Sequence, residues 1–155
     1  MKWVTRSRPK TDRIACPWLI RRFIDPDADI AYVPAAEVLA VAAATAAHSF
    51  DAPGAEFTHQ PRPGGGEWCT FETLVDAFGL DGDPALARLA HIVHAADIAA
   101  DASSDPLGAG LRAIGEGGVD VEADDLRLLE RASFVYDALY AWCHQDVARL
   151  PGQPR

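Results

Sequence analysis

Apolar and polar residues follow two different periods along the chain, a short one near the N-terminus and a helical one beyond about residue 70. Two segments, Lys2–Arg6 and Asp29–Val33, are short, rich in β-branched or aromatic residues and bounded by polar ones, which is typical of strands. Two further short strands are predicted at 48–50 and 56–59. The Pro- and Gly-rich segment 60–67 is predicted as a loop.

Helical spacing of apolar residues predicts the remaining elements. Pro17 suits a first helical position, so a helix of about two turns is expected from there to Asp25, and Pro34 opens another that ends near residue 47. The second half predicts helices at 70–78, 84–97, 107–114 and 122–147. The last helix is apolar on two sides and should therefore be central. The predicted fold class is α+β, with a small sheet from the N-terminal half packed against several helices and a helical C-terminal half.

The length of the chain and its cysteines limit the class of protein. A chain of 155 residues with 49% hydrophobic residues predicts a single domain over residues 1–150, followed by a short tail at 151–155. The three cysteines are widely spaced and odd in number, so neither a disulfide framework nor a zinc knuckle is indicated. With no apolar signal-peptide run, these features predict a cytoplasmic protein.

The net charge limits the classes of partner that this chain can bind directly. The net charge of −9 repels phosphate backbones and anionic lipids, so we expect no direct nucleic-acid binding by this chain alone and no membrane association. Half of the lysines and arginines nevertheless lie within the first 22 residues. This cationic end is either a solvated surface or a pocket for a small anion.

Cys16 is the first residue that suggests chemistry. If Pro17 begins a helix, Cys16 is its N-cap, where unpaired backbone N–H groups and the helix dipole favour a thiolate. Arg13 lies three residues upstream and would lower the thiol pKa further. Cys16 is therefore the candidate catalytic residue, with a buried core cysteine beside Ile14 and Trp18 as the alternative.

Asp97 lies on the apolar face of its predicted helix, in line with Leu86 and Val93. A buried carboxylate is costly unless it meets an arginine, a metal ion or backbone donors. If the helix instead frays before Asp97, the carboxylate is solvated. Both readings remain open on the sequence.

His59 and Cys69 flank the loop 60–67, at the end of a predicted strand and the start of a predicted helix. Such positions often hold ligands or catalytic groups. With Asp97 they form a candidate metal centre, since imidazole and carboxylate suit Zn, Fe or Mn. The alternative is that Cys69 is a buried N-cap residue. No motif for a nucleotide cofactor is evident.

A series of short motifs extends over nearly the whole chain. They are KWVTR at 2–6, RP at 8–9, DRIACPWLI at 12–20, RFID at 22–25, FD at 50–51, PG at 53–54, FTH at 57–59, CTFE at 69–72, LA and IV within 89–93, AD at 96–97 and YDALYAWC at 136–143. In these motifs the chain resembles the chromate-resistance protein B family. The resemblance implies a domain from bacterial chromate-resistance operons, whose relatives are chromate-responsive regulators, some fused to a rhodanese-like sulfurtransferase domain. Longer regulators carry an extra N-terminal region to which DNA binding is usually assigned.

Residues and resemblance together predict a pocket in which Arg13 and a neighbouring arginine, Arg22, hold a chromate- or sulfate-like oxyanion near Cys16 and His59. Chromate is a tetrahedral dianion and an oxidant, so the site can be a receptor that binds or senses it. It can equally be a thiol- or metal-dependent enzyme, such as a reductase or a sulfurtransferase-associated protein. The sequence does not decide between these alternatives.

A third hypothesis is an interaction module of a chromate-responsive regulator, without its own catalysis. Its contact surface would be the aromatic residues of the last helix, Tyr136, Tyr140 and Trp142. The expected macromolecular partner is then a regulator protein or a second copy of the chain.

Overall fold

The computed structural model describes residues 1–149, which form five strands and six α-helices. The strands are β1 (Lys2–Arg6), β2 (Asp29–Val33), β3 (His48–Ser49), β4 (Gln60–Pro61) and β5 (Glu67–Trp68). The α-helices are α1 (Asp12–Leu19), α2 (Val38–Thr45), α3 (Thr70–Ala77), α4 (Pro84–Asp97), α5 (Pro106–Val121) and α6 (Asp125–Ala148). The predicted tail, residues 151–155, lies outside the described residues.

The first three strands form one parallel sheet in the order β2-β1-β3. Trp3 of the central strand β1 lies opposite Ile30 of β2 and His48 of β3. The N-terminal half thus provides the sheet and the C-terminal half is helical, so the predicted α+β class is confirmed. Within residues 1–149, no helix is both long and apolar enough to cross a bilayer.

Helix α1 starts five residues earlier than the sequence predicts. It begins at Asp12, and Pro17 lies inside it. Because Pro17 has no N–H, the carbonyl of Arg13 loses its helical donor, and the Tyr32 hydroxyl donates to that oxygen instead at 2.7 Å. A hydrogen bond from β2 therefore lets α1 continue through its proline. One wide π-helical turn, Ile20–Ile24, follows α1.

The segment around the Pro- and Gly-rich loop also differs from prediction. The strand expected at 56–59 is reduced to a single bridge between Phe57 and Phe50. The residues predicted as a loop form a small antiparallel hairpin, in which Gln60 pairs with Trp68 and Pro61 with Glu67. This hairpin leads directly into α3.

Helices α4, α5 and α6 pack against one another, and α4 and α6 also pack against α1. Helix α4 matches its predicted bounds, whereas α5 extends through the glycine-rich segment that was expected to be a turn. Of the aromatic residues predicted to contact a partner, Tyr136 is buried beside Trp18. Tyr140, which packs edge-on against Phe23, and Trp142 are half-buried. Tyr136 therefore belongs to the protein interior.

Candidate metal and oxyanion site

A polar cleft of about 290 Å³ opens where β1 ends, α1 begins and α4 ends. Cationic side chains, carboxylates and one imidazole line it: Arg6, Lys10, Arg13 and Arg112; Asp12, Asp51, Asp97 and Glu116; and His59. Charges of both signs in one small cleft can hold a cation and an anion side by side.

His59 lies at the centre of the carboxylates. Its Nε2 is 3.1 Å from Asp97 Oδ2, 3.8 Å from Asp12 Oδ2 and 3.9 Å from Asp51 Oδ1. On the other side of the ring, Nδ1 is 3.4 Å from Glu67 Oε2. The predicted pair His59 and Asp97 is thus in contact, although 38 residues separate the two in sequence. A second carboxylate at the far ring nitrogen is the arrangement that commonly orients a metal-binding histidine.

Asp12 is the site residue that the sequence analysis missed. Its side chain is buried, and its Oδ2 accepts a hydrogen bond from the Thr70 N–H at 2.7 Å. Its Oδ1 is also buried and has no hydrogen-bond partner among residues 1–149. Burial, and then the nearby carboxylates of Asp97 and Asp51, raise the Asp12 pKa well above its usual value. A buried carboxylate in this position needs either a proton or a cation.

The carboxylates that raise the Asp12 pKa also raise the pKa of His59. The hydrogen bond to Asp97 raises the His59 pKa to about 9, against the opposing effect of burial, and the negative charges of Asp12 and Asp51 add to it. The cleft therefore favours positive charge at the Nε2 position. Asp12, His59 and Asp97 can each place one ligand atom within 4.8 Å of the others, so these three residues could hold a metal ion.

Arg13 lies in this cleft, as the oxyanion hypothesis requires, together with Arg6. Arg6 donates from Nε to the Asp51 carbonyl at 2.7 Å and from Nη2 to Asp51 Oδ2 at 3.0 Å, while Arg13 Nε is 3.8 Å from the same Oδ2. Burial and the neighbouring charge of Arg6 lower the Arg13 pKa. Asp51 itself has a positive φ of 45°, a backbone conformation that non-glycine residues rarely adopt and that often occurs at functional sites.

Arg22 is not part of the cleft lining. It is exposed in the π-helical turn after α1. The additional arginine of the cleft is Arg112, which α5 supplies and which donates from Nε to the Ala96 carbonyl at 2.7 Å. Arg112 lies in the segment predicted as a short helix, and nothing in the sequence alone relates it to Arg13.

Cys16 does not occupy the N-cap position predicted for it. It lies inside α1 and is fully buried. Burial, and then the charge of Asp12, raise the Cys16 pKa well above its usual value, which is the opposite of an activated thiolate. The N-cap argument for a reactive Cys16 therefore fails, and Cys16 is a buried core residue beside Ile14 and Trp18, as the alternative interpretation predicts.

Cys69 belongs to a different group of ligand atoms from His59 and Asp97. It is the N-cap of α3 and lies with Glu72 and His94, each placing one ligand atom within 4.8 Å of the others. The structure thus contains two candidate metal groups in its described part, where the sequence analysis predicts one.

These observations define the chain as an α+β domain with a charged cleft that contains candidate metal ligands and arginines. The chain belongs to the family described as ChrB, C-terminal domain, whose model matches residues 3–143. Protein ChrB of Cupriavidus metallidurans strain CH34 is 36% identical over 139 residues, which are 90% of this chain and 40% of that protein. The chain therefore spans less than half the length of this relative. No solved structure matches it. The resemblance to the chromate-resistance protein B family is confirmed.

Proposed function

We propose that this domain binds a chromate-like oxyanion in its cleft, next to a divalent metal ion held by Asp12, His59 and Asp97. The observation that carries the proposal is the buried Asp12 carboxylate, which lies beside His59 and Asp97 and has one oxygen without a partner among residues 1–149. Carboxylates with imidazole suit Zn, Fe or Mn and leave coordination positions for water or an oxyanion. Family membership supports chromate as the oxyanion to test first.

Direct coordination explains why the metal and the oxyanion would bind together. Apart from His59, the cleft is lined by four cationic side chains and four carboxylates, and the His59 pKa of about 9 adds a positive charge in the metal-free protein. A divalent cation displaces the proton of His59, so the net charge of the cleft rises by less than the two charges of the ion. The ion adds instead open coordination positions beside the arginines, which an oxygen atom of a dianion such as chromate can occupy.

Arg112 is the arginine best suited to the oxyanion. Arg6 and Arg13 are engaged with Asp51. Arg112 forms its hydrogen bond through Nε, and its two terminal nitrogens make none with residues 1–149. Arginine N–H groups bind tetrahedral oxyanions through charge-assisted hydrogen bonds.

Binding is better supported than thiol chemistry. Cys16 and Cys69 are both fully buried and both have raised pKa values, mainly because of burial, so neither is poised to reduce chromate. The domain then serves as the ligand-binding part of a chromate-responsive cytoplasmic protein. Longer proteins such as Protein ChrB of Cupriavidus metallidurans would add other parts to it.

Calorimetric titration of chromate tests this proposal, with the protein either stripped of metal by EDTA or loaded with Mn²⁺. We expect chromate to bind at least about tenfold more tightly to the Mn²⁺ protein, and sulfate to compete as a tetrahedral dianion of similar shape. Arg112→Ala should weaken binding about tenfold or more. Arg22→Ala is the matched control, because Arg22 is exposed outside the cleft. Equal affinity with and without metal, or equal losses in the two arginine variants, would contradict the proposal.

A further inference from the structure

Cys69, Glu72 and His94 come together at the start of α3. Cys69 is the N-cap of this helix and Glu72 lies three residues further on, so the Glu72 carboxylate reaches back and accepts the Cys69 N–H at 3.0 Å. His94 comes from α4. One ligand atom from each residue lies within 4.8 Å of the other two. None of these three residues belongs to the group formed by Asp12, His59 and Asp97.

His94 is held between two carboxylates. Its Nδ1 lies 2.6 Å from Glu72 Oε2 and its Nε2 lies 2.8 Å from Asp101 Oδ2, while the residue is only 3% exposed. A neutral imidazole has a single N–H and can donate to only one of them. The second contact needs either a further proton, on the ring or on one of the carboxyl groups, or a metal ion in its place. A metal ion at Nδ1, with Nε2–H donating to Asp101, is the usual carboxylate–histidine–metal arrangement.

The Cys69 sulfur has the surroundings of a metal-bound thiolate. It is fully buried at a helix N-terminus, where the backbone N–H of Glu72 donates to it. The helix dipole and this hydrogen bond favour negative charge on sulfur. Burial disfavours a bare thiolate, whereas a bound metal ion deprotonates and stabilises a coordinating thiol.

We propose that Cys69, Glu72 and His94 bind a second metal ion, of the zinc class, through one thiolate, one carboxylate and one imidazole nitrogen. A thiolate selects Zn²⁺ over the harder Mn²⁺, which distinguishes this site from the all-oxygen-and-imidazole group in the cleft. Three protein ligands leave the fourth position of a tetrahedral zinc-class ion to a water molecule. A pocket of about 360 Å³ reaches His94 from the side of the ring that faces Asp101. Its lining includes Asp101 and His91.

The zinc-class ion would also fix the geometry of the cleft. Its ligands belong to α3 and α4, and each helix carries a neighbouring residue that serves the cleft. Thr70, next to Cys69, donates its N–H to Asp12, and Asp97 follows His94 by three residues on α4. Holding these two helix ends together therefore positions two of the three carboxylate and imidazole ligands of the cleft.

Cobalt substitution tests the proposal independently of the cleft, since only a thiolate ligand produces an intense sulfur-to-cobalt charge-transfer band in the near ultraviolet. Metal-free protein titrated with Co²⁺ should develop this band with one equivalent. The band should be lost in Cys69→Ser and retained in Cys16→Ser, the matched control for a fully buried cysteine outside the group. It should also be retained in His59→Ala, which removes a ligand of the cleft alone.

A variant of Asp101, which contacts His94 Nε2, and competition between metals complete the test. Asp101→Asn should keep the band and weaken metal affinity about 10- to 100-fold, and Zn²⁺ should displace Co²⁺ from the site. If Cys69→Ser does not fold, as judged by circular dichroism, His94→Gln replaces it and should lose the band. Absence of the band in the wild-type protein, or its persistence in the folded variants of Cys69 and His94, would overturn the proposal. Failure of chromate binding with the band intact would overturn only the proposed function.

Discussion

At the scale of single residues, the hydrogen bond from Tyr32 to the Arg13 carbonyl explains how α1 tolerates Pro17. Tyr32→Phe should leave that carbonyl without a donor and cost about 1–2 kcal/mol of unfolding free energy. Pro17→Ala restores a backbone N–H four residues after Arg13. It should therefore stabilise the Tyr32→Phe protein more than it stabilises the wild type.

Urea unfolding of the wild type, both single variants and the double variant measures this coupling as a double-mutant cycle. Both proteins carrying Pro17→Ala also gain helix propensity, and the cycle cancels that common effect. Strictly additive changes would show that Tyr32 does not compensate for Pro17.

The candidate site residues show what local sequence can and cannot predict. His59 and Asp97 are predictable because each has a local signature, a strand-end histidine and a carboxylate on an apolar helix face. Asp12 is not, since its importance depends on contacts with His59 and with Thr70, 58 residues away. The N-cap environment expected at Cys16 is absent there, because the Tyr32 hydroxyl allows α1 to start before its proline. Cys69 is a buried N-cap residue, as the alternative interpretation of the sequence predicts.

At the scale of elements, the packing of α4 against α5 depends on Gly108. A Cβ atom at this position would lie 2.7 Å from Ala95 Cβ and 2.8 Å from the Ala95 carbonyl carbon, so backbone would have to move. Gly108→Ala should destabilise the protein by about 1–3 kcal/mol and disturb the end of α4 that carries Asp97.

Gly110→Ala is the control on the same helix, since a Cβ there meets nothing within 4 Å. It should stabilise the protein by about 0.5–1 kcal/mol through helix propensity. Thermal unfolding followed by circular dichroism compares the two variants. Similar effects of both substitutions would rule out the close approach of α4 and α5.

The link between α6 and the start of α4 should be sensitive to alkaline pH. The hydroxyl of Tyr140 in α6 donates a hydrogen bond to Oδ2 of Asp83, the N-cap residue of α4, and the two oxygens are 2.5 Å apart. Burial, and then this carboxylate, raise the Tyr140 pKa to about 12, above the value of about 10 for an unfolded tyrosine. The folded protein thus binds this proton more tightly, and the stabilisation should be lost as the pH rises from about 10 to about 12.

Unfolding in urea at about pH 9 and about pH 11.5 measures this loss against Tyr140→Phe, which has no hydroxyl proton to release. The wild type should lose more unfolding free energy between the two pH values than the variant does. An equal or smaller loss in the wild type would refute the assigned contribution of Tyr140.

Helix-scale prediction succeeds where caps and apolar spacing agree, as at α4, where Asp83 caps the helix and Pro84 begins it. It fails where tertiary contacts outweigh propensity. Helix α5 continues through Gly115 and Gly118, where it packs closely on Thr11 and Leu128. A Cβ atom would lie 3.3 Å from the Thr11 nitrogen at the first position and 3.2 Å from Leu128 Cδ1 at the second. Those glycines are local turn signals, and only the packed structure shows why a helix needs them.

At the scale of the whole molecule, the cationic N-terminal segment of this acidic chain contributes part of the cleft. Of the basic residues in the first 22 positions, Arg6, Lys10 and Arg13 line the cleft, whereas Arg22 does not. Of the two interpretations of the cationic N-terminal end, a solvated surface or a pocket, these three residues support the pocket. Fold class and family could be predicted from the sequence, because they depend on patterns and motifs spread over the whole chain.

The central claim is that the cleft holds a metal ion, and a crystal structure of the protein grown with Mn²⁺ or Zn²⁺ tests it most directly. Anomalous scattering should locate an ion about 2.0–2.3 Å from one ligand atom each of Asp12, His59 and Asp97. One cation would then account both for the buried carboxylate of Asp12 and for the close approach of His59 to Asp97. An ion absent from the cleft at millimolar metal concentration, with His59 still bonded directly to Asp97, would contradict the account.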